Sequence, residues 1–156
     1  MIFTVTTLFS SSYAQDHRLK EKLSLVATIV TQATRIETAR LKVISAQEAK
    51  DNALKSIDRI VGYPIENPLV ELKTSGADKL AELILDDKNY ATVRQRCRNQ
   101  YLLGLRFTKN TKIAEFALGM PCQQTLWSFR LDDKIQYFGA VLGTETTQKI
   151  IAMITK

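Results

Sequence analysis

The chain has 156 residues, 45% hydrophobic and 24% charged, with 22 lysines and arginines against 16 acids for a net charge of +6. Those proportions suit one folded core with room for an appendage, and exclude a disordered chain. They also exclude a polycation, because the basic excess is divided: nine basic and six acidic residues lie in 15–61, thirteen and ten in 62–156. So mild an excess favours anionic partners in general, among them lipid head groups, cell-wall polymers and nucleic acid, without choosing between them.

Ile2 to Phe9 is short, apolar and rich in threonine, and Ser10, Ser11, Ser12, Tyr13 and Ala14 follow before a charged stretch opens at Gln15. Ser12 and Ala14 put small residues where a signal peptidase reads. Residues 1–14 therefore resemble the tail of a secretory signal peptide, without its usual basic start. The alternative is a threonine-rich edge strand. No other segment approaches the roughly 18 continuous apolar residues of a membrane span. The expectation is a periplasmic or secreted protein that is not integral to a membrane.

Residues 15–61 hold neither glycine nor proline. Leu19, Leu23, Val26, Val30 and Ala33 recur at spacings of 4, 3, 4 and 3, the stripe of an amphipathic helix. Ile36, Val43, Ala46, Ala49, Ala53, Ile57 and Ile60 continue it as a drifting, alanine-rich face. An unbroken helix over this span measures roughly 70 Å, longer than a compact domain of this size can bury. Two solutions stand: a long helix pairing with a second copy or another partner in a coiled coil, or a break near Thr31 to Thr38 and an αα-hairpin. The lack of turn residues favours the long helix and leaves homodimerisation through it open.

Gly62 reads as the residue that ends this helix, and Pro64 and Pro68 bar its continuation. A compact domain is expected over 62–156. A short helix runs from about Ser75 to Asp86 on Leu80, Leu83 and Ile84. The period then changes to two. Tyr101 to Phe107, Ile113 to Leu118, Thr125 to Leu131 and Ile135 to Val141 read as four strands with polar turns between them. Connections that short make an antiparallel meander. A closing helix over Thr144 to Thr155 offers Ile150, Ile151 and Ile154 to one face. The expected class is α+β: long N-terminal helix, short helix, four-stranded antiparallel meander and C-terminal helix.

Cys97 and Cys122 are the only cysteines. In an exported chain they pair, closing a loop worth on the order of 3 kcal/mol, whereas in a cytosolic one they are two buried thiols. With His17 as the only histidine, they supply too few ligands for a metal site, and none is expected.

Leu80 to Leu85, then Asp86 to Tyr90, Cys97, an apolar strand ending at Arg106 and Phe107, a turn, Glu115 to Leu118, Cys122, a further apolar strand and a closing helix together resemble a group of small, uncharacterised exported bacterial proteins. The likeness covers roughly the last 80 residues and rests on loose motifs. Members often carry another cysteine three positions before the later one, where this chain has Gly119. The resemblance implies export and fold, and no active site.

Chemistry is sparsely signalled. His17 is far in sequence from any serine in a glycine-rich elbow, and no phosphate-loop or dinucleotide fingerprint occurs, so no cofactor is expected. Asp86 with Asp87 and Asp132 with Asp133 fall where turns favour aspartate. Arg94, Arg96 and Arg98 would share one face of an extended segment, with Arg106 joining from the same sheet, a row suited to carboxylates or phosphates. The other reading of that row is a solvated edge guarded by charge. The function expected is a non-enzymatic, exported interaction module such as an inhibitor, immunity protein or envelope adaptor, with another protein or an anionic envelope component as partner. A cytosolic nucleic-acid binder and an unrecognised hydrolase are the alternatives.

Overall fold

The computed structural model describes residues 11–53, 55–91 and 97–155. Helix α1 (Ser11–Thr31) is followed by strand β1 (Arg35–Arg40), helix α2 (Ala46–Asn52), the two-residue strands β2 (Arg59–Ile60), β3 (Tyr63–Pro64) and β4 (Val70–Glu71), and helix α3 (Ala77–Leu85). Strands β5 (Tyr90–Ala91), β6 (Gln100–Lys109), β7 (Lys112–Met120), β8 (Gln124–Leu131) and β9 (Lys134–Leu142) precede helix α4 (Thr144–Ile154). The class is α+β, but the sheet is not the expected four-stranded meander. It has seven antiparallel strands in the order β4-β1-β6-β7-β8-β9-β5, so β1 and β4 extend one side and β5 the other.

The long N-terminal helix is also overturned. α1 stops at Thr31, and the chain turns into β1, whose six residues pair in unbroken register with β6 from Arg35 opposite Thr108 to Arg40 opposite Leu103. The reason is visible in the side chains. Ile36 and Thr38 are buried on alternate positions of a β-branched segment, and branching at Cβ favours a pleated strand over a helix. With the helix goes the element through which a coiled-coil dimer was expected. Gly62 ends no helix either. With Val61 it forms the turn between β2 and β3, both residues at positive φ, 50° and 81°. A methyl group on Gly62 would lie 1.6 Å from the carbonyl oxygen of Ala49, so the turn is pressed against α2.

One face of the sheet carries the main core. Leu23, Val26, Ile29 and Val30 of α1, Leu80, Leu83 and Ile84 of α3, and Ile150 of α4 pack on the strand side chains of that face. At its centre Trp127 is fully buried, 4.8 Å from the ring of Phe116 and 5.7 Å from that of Phe138. The opposite face has a smaller core where Leu41, Ala49, Ile60, Val61 and Tyr63 cover Ala39 and Ala117. Gly104 belongs to this covered patch because a Cβ there would stand 2.9 Å from both Ile60 and Leu41. Residues 41–53 and 55–65 therefore act as a lid on the second face.

Ser45 starts α2 by accepting the Glu48 N–H on its hydroxyl at 3.1 Å, one half of a capping box. The expected processing segment falls on residues 1–10, outside the described residues, and on the first turns of α1.

Candidate functional site

The lid is fastened by a buried ion pair. In the β6–β7 hairpin Arg106 stands opposite Glu115, in β8 Ser128 stands opposite Glu115, and in β9 Tyr137 stands opposite Ser128, making a polar row across the second face. Arg106 and Glu115 are 4% and 1% exposed and meet at 2.9 Å. The remaining guanidinium N–H groups donate to the carbonyls of Ile57, at 3.0 Å, and Arg59. The other oxygen of Glu115 accepts the Val61 N–H at 2.7 Å and the Ser128 hydroxyl at 3.3 Å. Tyr137 adds a bond from its hydroxyl to the Lys50 carbonyl. These bonds hold Val61, a β-branched residue, in the left-handed region that its side chain disfavours. Burial pushes the Glu115 carboxyl above the usual range, opposed by the Arg106 charge and by its hydrogen bonds to Val61, Arg106 and Ser128. Ser128 and Glu115 are both almost fully buried, and the contact between them braces the second face.

The segment so fastened forms one wall of an open cleft of about 840 Å³ at the hairpin end of the sheet. Lys55, Ser56 and Ile57 line it on the lid side and Leu25 and Thr28 on the α1 side. The tips of the β6–β7 and β8–β9 hairpins lie between them. Both tips are tight turns. Asn110 takes positive φ in the first, and Asp132 and Asp133 take it in the second, the conformation aspartate tolerates.

Six basic side chains line the cleft, Arg35, Lys55, Arg106, Lys109, Lys112 and Arg130, against the acids Glu115, Asp132 and Asp133. The surplus of three is half the net charge of the whole chain. Since Arg106 and Glu115 neutralise one another in the floor, the surplus lies on the accessible groups. Lys55 and Lys112 are exposed and have no ion-pair partner among the described residues. Arg35 is 3.6 Å from Glu37, and Lys109 donates to Gln32. Apolar side chains collect here too. Of the six large hydrophobic residues exposed among the described residues, three line this cleft: Leu25 at 45%, Ile57 at 69% and Leu131 at 42%.

Only part of the expected arginine row falls on described residues. Arg94 and Arg96 lie outside the described residues. Arg98 is exposed just before β6, at the far end of that strand from the cleft, while Arg106 points into the buried ion pair. Arg106 is thus withdrawn from any surface row, because the register puts Glu115 beside it under the lid. Trp127 fills the core, and Tyr137 braces α2 through its hydrogen bond to Lys50.

Cys97 and Cys122 form a disulfide with Cα atoms 6.1 Å apart, tying the segment before β6 to the β7–β8 turn. Asp86 accepts the Lys88 N–H as a turn residue. Among the described residues no three of histidine, cysteine, aspartate and glutamate come together as a metal site.

Sequence reasoning missed Lys55, Lys109, Lys112 and Arg130. The signal available was the pair of tight turns, which brings the lysines flanking Asn110 and Thr111 to the same end of the sheet as Arg130 and Leu131. The chain matches no protein-family model, no curated protein and no solved structure, so the geometry is the ground on which its function is argued.

Proposed function

We propose that the protein is an exported interaction module that holds an anionic partner in the cleft at the hairpin end of its sheet. The observation that carries this reading is concentration: a charge surplus equal to half the chain's net charge, and half of the large hydrophobic residues exposed among the described residues, line one concavity. Complementary charge of this kind raises the encounter rate and selects partners. Export is supported by the Cys97–Cys122 disulfide, since disulfides persist chiefly in oxidising compartments. Among the described residues no helix is long and apolar enough to cross a membrane. The likeness of residues 1–14 to a signal peptide and of the last part of the chain to small exported bacterial proteins points the same way.

The test is a titration of fluorescent poly-glutamate into the wild type and into a Lys55→Glu, Lys112→Glu variant at several salt concentrations. Both lysines are exposed and outside the hydrophobic cores, so the unfolding midpoint should hold. Binding by the wild type, weakened by salt and about tenfold or more by the two reversals, is expected. Equal binding by both proteins, or none by either, refutes the proposal.

A further inference from the structure

We infer that the element captured in the cleft is an acidic peptide segment carrying large apolar side chains, rather than a polyphosphate backbone or an anionic bilayer. This rests on the proposal that the cleft binds an anion, and adds the chemistry of its occupant.

Cationic and apolar groups share the walls of the concavity. Lys55 and Ile57 come from one loop, and Arg130 and Leu131 are neighbours at the end of β8. Leu25 closes the α1 side, and Lys109 and Lys112 stand on the hairpin between. An extended peptide presents side chains to opposite sides at every second residue, so one segment can set carboxylates on the lysines and leucine-like groups on Leu25, Ile57 and Leu131. A nucleic acid would offer base faces that stack best on exposed aromatic rings, and among the described residues the one aromatic that lines the cleft, Phe129, is 2% exposed.

Asp132 and Asp133 sharpen the choice. They sit exposed at the tip of the β8–β9 hairpin, on the rim of the cleft. Uniform negative charge, whether of an anionic bilayer, a phosphate backbone or poly-glutamate, meets these aspartates with a repulsion that weakens its hold. A peptide can place a neutral or basic residue against them. The walls are also held in advance, because Arg106 bonds the carbonyls of Ile57 and Arg59 before any partner arrives. A wall already ordered lowers the entropy cost of binding.

The experiment uses the full oxidised chain and a panel of short synthetic peptides of glutamate, leucine and serine in varied order. Control peptides have glutamine in place of glutamate, and phosphatidylglycerol vesicles and single-stranded DNA complete the probes. Binding is followed by calorimetry and read again with Ile57→Ser and Leu131→Ser variants. The expected result is that peptides with both glutamate and leucine bind about tenfold more tightly than those with glutamate and serine, and that either variant removes this preference. Glutamine peptides should not bind. Equal affinity for leucine and serine peptides overturns the inference while the anionic cleft stands. Tighter binding to vesicles or DNA than to any peptide overturns it in the same way. No binding to any anionic probe overturns both readings.

Discussion

Replacing Glu115 by alanine strands the groups it serves. Arg106 keeps the carbonyls of Ile57 and Arg59 but loses its counter-charge in a site where it is 4% exposed. The Val61 N–H, on a fully buried residue, loses its acceptor. Removing one partner of a buried ion pair costs about 3–5 kcal/mol, and an orphaned buried donor accounts for about 1–3 kcal/mol of such a loss. A destabilisation of about 4 kcal/mol is therefore expected, a large share of the roughly 5–15 kcal/mol that holds a domain together. Replacing both partners, Arg106→Met with Glu115→Leu, removes the uncompensated charge and leaves the Val61 N–H and two carbonyls to find other partners. The double variant should therefore be more stable than Glu115→Ala, with a coupling of about 2 kcal/mol. Urea unfolding followed by fluorescence of Trp127, the only tryptophan and fully buried, reads both variants directly. A Glu115→Ala variant within about 1 kcal/mol of the wild type would refute the brace, as would a double variant less stable than the single.

Three further outcomes follow from the same geometry. Replacing Cys97 and Cys122 by serine should lower stability by about 3 kcal/mol, given a closed loop of 25 residues, and adding a reductant to the wild type should reproduce the loss in a denaturant titration. Gly62→Ala, with its Cβ directed at the Ala49 carbonyl and its φ at 81°, should cost about 3 kcal/mol or more and lower the melting temperature, while Gly143→Ala, with only a contact at 3.4 Å, should do little. Burial, with Tyr101 beside it, pushes the Tyr63 phenol up to about 12. An unfolded tyrosine ionises near about 10, so the contribution of Tyr63 to stability is complete below that pH and is lost as the pH rises through about 12. Tyr63→Phe should flatten the alkaline decline in stability, and an unchanged slope would count against the buried phenol.

What could be read without the structure was whatever is encoded between near neighbours. The stripe from Leu19 to Val30 lies on the core side of α1, and the period-two stretches from Tyr101 to Val141 lie in strands, because amphipathic periodicity needs only local spacing. The break after Thr31 was hidden by the absence of glycine and proline, since the chain leaves the helix through β-branched residues whose strand conformation is secured by pairing with β6, far away in sequence. Ser45 and Glu48 did carry a local signal for α2, the spacing of a capping box.

The candidate site was the least legible part. Arg106 looked like a surface cation until its partner was known, although a two-residue turn at Asn110 and Thr111 already pairs it with Glu115. Only the tertiary structure decided that residues 57–61 close over this pair and turn it inward. It likewise decided that Leu25, Ile57 and Leu131, on three separate elements, meet basic side chains in one cleft. Local sequence determined composition, charge, most helix and strand periods and the pair of cysteines. Burial and the sharing of a cleft depend on which distant segments pack together, and that depends on the register and lid contacts of the whole fold.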